Sequence, residues 1–456
     1  MERIHNFKNK LFENEKIKSL QDWFIKFFSY DLYIALLFLV AIVNWKFKLV
    51  WMIFVVCLLF ILIIYFFRIS KEKLIPVAIS AIISLRLEKV DYIFPIIVGF
   101  IIVLFLLIYD LIRKKPIFNN GILTGFILVF ISQVFSLINT PVLKTSLEGV
   151  FMWVFYILLF LYILNLDFKD DNKNYGRYFL SKIFVYLSIA IFIEIILYYL
   201  EYGIGQNIIS FYASDSIDFG WATTNEVAMI YILILPILLY YYTFDQKKYY
   251  LLLIVAIDVL MLHLMLSRGA YLAMILLVIP LILKTLHDVK HKTNFVITII
   301  YSSIIILIGL IIVAIPLGYV KEFFDFLSKK GLTIEERQLI SRIGFNVFQR
   351  NPLFGGGANS SSFYLSIAID KNYYDNFIIQ TLAETGIIGF VSFGYLLIQA
   401  FRYALMKNKF NSYILIILIA LAIQGLIETT FYNIIVMILL AIILPLLATD
   451  EEKIIY

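Results

Sequence analysis

The 456-residue sequence has one cysteine, four histidines and only 15% charged residues. A single thiol, Cys57, excludes an intrachain disulfide and any cysteine-built metal cage, and its place inside an apolar run reads as lipid-facing or packed. The shortage of charge excludes an ordinary soluble domain, in which about 25% of residues are charged and roughly 45–50% apolar. Here 62% are hydrophobic and the mean hydropathy is +0.93. There is no glycine-rich phosphate loop of the Walker type and no room between the apolar runs for a nucleotide-binding domain, which argues against ATP as a fuel. The net charge of +6 reads as topological, because basic residues beside membrane helices first set orientation. Nothing in it asks for a nucleic-acid partner.

What the chain does have is one apolar run after another. A crossing needs about 20 mainly apolar residues, and runs of this kind lie near 30–45, 49–68, 74–86, 92–112, 122–139, 147–166, 179–201, 225–243, 248–265, 268–284, 295–316, 376–402, 411–428 and 431–448. The run at 74–86 is short and is followed by the charged RLEKVD; without it and one partner the count falls to about twelve. The expected fold is therefore all-α, a polytopic membrane protein of about 12–14 transmembrane helices with one long extracytoplasmic loop that contains an amphipathic helix. Lys and Arg gather in Arg68–Lys73, Arg113–Lys115, Lys169–Arg177, Lys247–Lys248, Lys284–Lys292 and Arg402–Lys409, on one side if every run crosses. The positive-inside rule makes that side cytoplasmic and puts both termini there, in a cytoplasmic membrane. The domain scheme that follows is a cytoplasmic interfacial segment 1–29, a helix bundle 30–316, an outer loop 317–375, C-terminal helices 376–448 and a tail 449–456.

The outer loop is where aqueous chemistry can occur. Thr333-Ile334-Glu335-Glu336 has the form of a capping box, predicting a helix that runs to about Arg350 and stops at Asn351-Pro352. Its period places Leu339, Ile340, Ile343 and Val347 on one face and Gln338, Arg342, Asn346 and Gln349 on another. Gly355-Gly356-Gly357 follows; it reads either as a backbone cradle for an anion or as a flexible turn. Asp375 stands where the next helix needs an N-cap. Glu384, nine residues on, would lie about 180° around that helix, so the two carboxylates do not form a facing pair. His287 and His291 have i,i+4 spacing but sit among Lys290 and Lys292 in a cytoplasmic loop, so solvation is preferred to a metal site.

Four blocks occur in order: GWATTNEVAM at 220–229, LMLSRGAYLA at 264–273, RIGFNVFQRNPLFGGG at 342–357 and DNFIIQTLAETGIIGF at 375–390. Together they resemble the O-antigen polymerase and O-antigen ligase superfamily, which is similar to the C-type lipid-linked glycosyltransferases. The resemblance covers the C-terminal half and implies an enzyme of the outer leaflet. Its donor would be a polyprenyl-diphosphate-linked oligosaccharide and its acceptor another saccharide. No cofactor, nucleotide or metal would be needed, since the departing lipid diphosphate drives an inverting displacement. The chain-length regulator and flippase of the same pathway would be further partners.

In that frame Arg268 and Asp375 are the catalytic candidates. Arg268 lies between two apolar runs, where an ionisable residue is costly and more often functional. Guanidinium also suits a diphosphate leaving group. Ligases of the superfamily and many polymerases carry His where this chain has Asp375; the resemblance implies the role of base, and the departure favours a polymerase over a ligase. Arg342, with Arg337 and Arg350, would bind diphosphate, and Asn225, Asn376 and Glu384 would help to hold substrate, both asparagines being helix-cap candidates as well. A flippase for the same lipid-linked oligosaccharide, or a structural scaffold for an assembly complex, are the readings of another class. The flippase would predict paired broken helices in internal repeats, which the sequence does not display.

Overall fold

The computed structural model describes residues 14–84, 101, 104–105, 108–112, 117–166, 173–204, 211, 217–244, 246–314, 334–369 and 371–448. It is helical throughout, with no strand among the described residues. The chain divides into two compact units, Met1–Ile101 with Leu166–Leu197, and Ile102–Asn165 with Tyr198–Tyr456.

The first unit holds α1 (Glu15–Ser29), α2 (Leu32–Phe47), α3 (Val50–Phe66), α4 (Leu74–Ile83) and most of α7 (Lys173–Tyr202). Helix α1 begins at Asn14, whose side chain accepts from Lys16 N at 3.0 Å. It meets α2 at a bend of 74°. Leu20 and Trp23 stay exposed while Phe28 is buried. Asn44, fully buried, donates to Ser84 O at 2.9 Å and accepts from Ile53 N at 3.3 Å, tying the α2–α3 turn to the end of α4. At ten residues, α4 is shorter than the run expected over 74–86, and residues 85–100 lie outside the described set.

The second unit carries α5 (Gly121–Ser136), α6 (Leu143–Leu164), α8 (Thr224–Tyr242), α9 (Tyr250–Leu264), α10 (Arg268–Asp288), α11 (Lys292–Ala314), α12 (Ile334–Arg350), α13 (Ser361–Leu365), α14 (Phe377–Ala404), α15 (Lys409–Gly425), α16 (Ile434–Ile443) and α17 (Pro445–Ala448). Helices α5 and α14 touch almost backbone to backbone. A Cβ at Gly125 would lie 2.7 Å from Leu396 Cα, and one at Gly121 would lie 2.6 Å from Gln399 Oε1. Small residues four apart permit such an approach between membrane helices. Helix α8 is the hub: 89% of its span is buried, and it packs against α9, α10 and α15.

Six described helices are long and apolar enough to cross a membrane, and the bent α1–α2 pair makes up to seven. Four more apolar helices, at Met52–Phe66, Tyr250–Leu264, Lys409–Gly425 and Ile434–Leu447, have 10–17 residues. The all-α polytopic expectation holds. Of the expected 12–14 runs, 92–112 lies largely, and the end of 295–316 partly, outside the described residues.

The amphipathic helix expected over 333–350 is α12, ending at Arg350; its expected cap Thr333 lies outside the described residues. Ile340 and Val347 are buried with Leu365, Tyr374 and Ala383, and Ile343 and Ile379 pack against them. Gln338, Arg342, Asn346 and Gln349 are exposed. Leu339, assigned to the apolar face, is instead 40% exposed. The buried stripe is narrower than expected because Gly344 brings the helix down onto α14, where an added Cβ would meet Ile379 Cγ2 at 2.5 Å and Tyr374 Cδ1 at 3.0 Å.

Candidate functional site

Three helices of the second unit begin close to one another, and each start carries a residue singled out by the sequence. Helix α8 opens with a capping box in which Thr223 N donates to Glu226 Oε2 at 2.7 Å. With the cap supplied by Thr223, Asn225 is not the cap and is available for something else: its Nδ2 donates to Glu428 Oε1 at 3.2 Å. Helix α10 opens at Arg268, capped by Ser267, whose hydroxyl accepts from Ala270 N at 3.4 Å. Leu266, just before it, has φ 52°, a left-handed conformation that costs a non-glycine residue about 1–2 kcal/mol. That turn directs the chain into Ser267-Arg268. Next to Arg268, Gly269 lets α10 close on the end of α15, where an added Cβ would lie 3.2 Å from Gln424 Cγ and 3.4 Å from Glu428 Cγ.

Helix α14 opens one residue later than the sequence suggested. Its N-cap is Asn376, which accepts from Ile378 N at 2.9 Å and Ile379 N at 3.1 Å. Asp375 is therefore not the cap; it precedes it at φ 49°, a conformation that Asp and Asn tolerate better than other side chains. Asn376 Nδ2 also donates to Leu426 O at 2.9 Å, which joins the start of α14 to the turn after α15. Asn376→Ala is expected to cost about 1–2 kcal/mol, from the cap and the second hydrogen bond together, read as a lower thermal midpoint in detergent.

Around this junction the charges are mixed. Burial raises the Asp375 carboxyl above its ordinary range, while Lys371 and Arg337 pull it back. Glu428, beyond the end of α15, is pushed up to about 8 by burial and next by the Asp375 charge, against the opposing pull of Arg337 and Lys371. Arg337 Nε is buried and has no hydrogen-bond partner, so a donor at this junction is left for an anion or a sugar oxygen. Arg337 and Arg342, with Gln338 and Ser341 between them, line an open recess on α12.

The structure thus brings Asn225, Arg337, Asp375 and Asn376 together around Glu428, with Arg342 on the recess beside them; Arg268 is next in sequence to Gly269, which packs against the Glu428 stem. Arg350 is not among them. It is exposed at the far end of α12, about 20 Å along the axis from Arg337, where its charge acts on Tyr364. Glu384 is also elsewhere: it is buried, accepting from Gln380 Nε2 at 2.6 Å and from Ser361 N at 3.4 Å.

The three glycines prove to be neither an anion cradle nor a loose turn. Gly355 N donates to Asn351 O at 2.8 Å, Gly356 N to Ala383 O at 2.7 Å and Gly357 N to Glu384 O at 3.0 Å. In return Ile387 N donates to Pro352 O at 2.9 Å. This clasp fills a break in α14 at Gly386, which has φ 64° and ψ −160°. The amides of Gly356 and Gly357 are bonded to carbonyls that the break leaves open and that of Gly355 to Asn351 O, so none remains for a ligand.

Glu428 is a residue to which the sequence alone gives no role. Its only signal is a charge at the end of an apolar run, and its meeting with Asn225 and Asp375 spans sequence distances that no local motif records.

Residues 251–394 match the model of the O-antigen ligase family. The chain carries a segment of the O-antigen polymerase and ligase superfamily. Comparison with curated proteins gave no match. The O-antigen ligase segment includes Arg268, Arg337, Arg342, Asp375, Asn376 and the whole glycine clasp, while Asn225 and Glu428 contribute from outside it. The match covers about a third of the chain and supports, at the level of the family, glycan transfer of the O-antigen ligase and polymerase type.

Proposed function

We propose that the chain is a polysaccharide polymerase that joins polyprenyl-diphosphate-linked repeat units on the outer face of the cytoplasmic membrane. The observation that carries this reading is the convergence of three helix N-termini, at Thr224, Arg268 and Phe377, on a junction that also holds Arg337 and Asp375. Helix N-termini and guanidinium both favour an anion such as diphosphate. Arg268 and Arg337 would stabilise the leaving lipid diphosphate, with Arg342 on the approach. Asp375 would take the proton of the acceptor hydroxyl as its oxygen attacks the anomeric carbon, inverting the configuration. Both termini, and the basic loops, would be cytoplasmic. The residues supply charge and base without a metal or nucleotide.

An apolar recess between α8, α10 and α15, lined by residues including Ile232, Pro236, Ala273 and Leu277, lies on the same helices that end at the junction.

The test is the purified protein in lipid with its cognate polyprenyl-diphosphate repeat unit, following product length and released lipid diphosphate. A ladder of lengths is expected. The family match, described as a ligase, favours a second reading, transfer to a distinct cell-surface acceptor, for which a single addition would be seen. Movement of the substrate across the bilayer without turnover would overturn both. Arg268→Ala should lower turnover about 10²–10³-fold, the effect of removing one preorganised donor to developing charge. Arg268→Lys should recover only part of it, because a point charge lacks the bidentate fork; full recovery would show that charge alone is needed.

A further inference from the structure

We propose that Glu428 and Asp375 work as one carboxyl pair sharing a single proton, with Glu428 as the positioning residue that keeps Asp375 ionised for the acceptor hydroxyl. This rests on the reading of Asp375 as the base.

The geometry comes first. Glu428 lies three residues past α15, in the turn whose backbone is held by Ile427 N and Glu428 N, both donating to Gln424 O at 2.9 Å. That turn is fixed to the start of α14 through Asn376 Nδ2 on Leu426 O at 2.9 Å, which sets the residue next to Asp375 against the residue two before Glu428. From α8, Asn225 Nδ2 orients one oxygen of Glu428 at 3.2 Å. From α10, Gly269 leaves room for its stem, with Arg268 beside it. The groups that act on Glu428 are Asp375 and Lys371 before α14, Arg337 on α12 and Glu226 on α8. Glu226 is already occupied by Thr223 N and by Asn433 Nδ2, each at 2.7 Å, so the carboxyls left to divide a proton are Asp375 and Glu428.

They do not divide it evenly. Lys371 and Arg337 work against burial at both carboxyls, but Glu428 carries the Asp375 charge in addition and is raised to about 8. Over the neutral range the proton sits on Glu428, and Asp375 is the carboxylate. In the transfer step the acceptor O–H proton passes to Asp375, the acceptor oxygen bonds to the anomeric carbon, and the bond from that carbon to the diphosphate breaks with its electron pair leaving on the phosphate oxygen. When Glu428 ionises at alkaline pH, a second negative charge enters the place where diphosphate must bind. Transfer then falls.

The experiment is the pH profile of kcat/KM for the full chain in lipid, wild type against Glu428→Gln, which holds the neutral form. The wild type is expected to show an alkaline limb near pH 8. In the variant that limb moves up by a unit or more, so the ratio of variant to wild type at pH 9 exceeds that at pH 7 about tenfold. A purely structural role would lower the variant at all pH values alike, and an unmoved limb overturns the pairing. Should the variant be inactive throughout, difference infrared titration of wild type and Asp375→Asn decides. The carboxyl band that titrates near 8 should titrate lower once the Asp375 charge is gone, and an unchanged midpoint overturns the proposal. Full activity in Asp375→Asn would instead refute Asp375 as the base, so the two failures are distinguishable.

Discussion

Asp375→Asn is expected to lower glycosyl transfer by about 10²–10⁴-fold in kcat, the usual contribution of a positioned general base, with little change in KM for the lipid-linked donor or in the thermal midpoint. The conformation makes this a clean substitution. Asp375 sits at φ 49°, which Asn adopts as readily as Asp. The helix behind it is capped by Asn376, which accepts from both Ile378 N and Ile379 N, so no cap is lost. Removing the negative charge leaves Lys371 and Arg337, the two cations that act on Asp375, free to hold diphosphate, and donor binding should if anything tighten. A variant that lost thermal stability in proportion to activity would show that Asp375 is structural. One that kept its rate would transfer the role of base to another group at the junction.

Gly355→Ala should prevent the protein from reaching its folded state in the membrane. A Cβ there would lie 2.3 Å from Glu384 C, 2.4 Å from Glu384 O and 2.4 Å from Thr385 N. These are backbone atoms, which cannot turn aside as a side chain would. The residue also has φ 71°, so conformational strain adds to the clash. Moving the loop away would break the Gly356–Ala383 and Gly357–Glu384 hydrogen bonds and leave carbonyls of α14 unpaired in an apolar setting, at about 1–3 kcal/mol each. The combined loss is comparable with the whole stability of many proteins, about 5–15 kcal/mol. Gly394→Ala, on the same helix, is the control: nothing lies within 4 Å of its added Cβ, and about 0.5–1 kcal/mol of stabilisation is expected. Folded yield by size-exclusion chromatography in detergent measures both. Equal yields would mean that the clasp does not hold the loop.

Much of this architecture is legible in the sequence because the bilayer makes composition decisive. The starts of α8, α10 and α14 fall within a residue or two of where apolar runs meet Thr, Ser or Asn. What composition does not reveal is which of two neighbouring polar residues caps a helix. Asp375 and Asn376 both have the chemistry, and only the left-handed turn at Asp375 decides. Likewise, three glycines announce a close approach without naming what approaches: the partner is a break at Gly386, about thirty residues along the chain. Glu428 is the clearest omission. Its meaning comes from Asn225 on another helix and Asp375 on a third, a relation made by packing rather than by spacing.

The break in α14 also sets a height. At 1.5 Å per residue, Ile387–Ala404 alone rises about 27 Å, close to the roughly 30 Å of a hydrocarbon layer, while Phe377–Thr385 adds about 14 Å more. The two lengths differ in character: the longer piece shows lipid-compatible Ile387, Val391 and Ile398 on its outside, and the shorter one buries Gln380, Thr381, Glu384 and Thr385 against the loop. The shorter piece is thus surplus to the crossing. Under the proposed reading it would work as a pedestal, lifting Asp375 above the oily layer to the level of the lipid phosphates, where the diphosphate of a polyprenyl carrier would rest without being drawn out of its membrane.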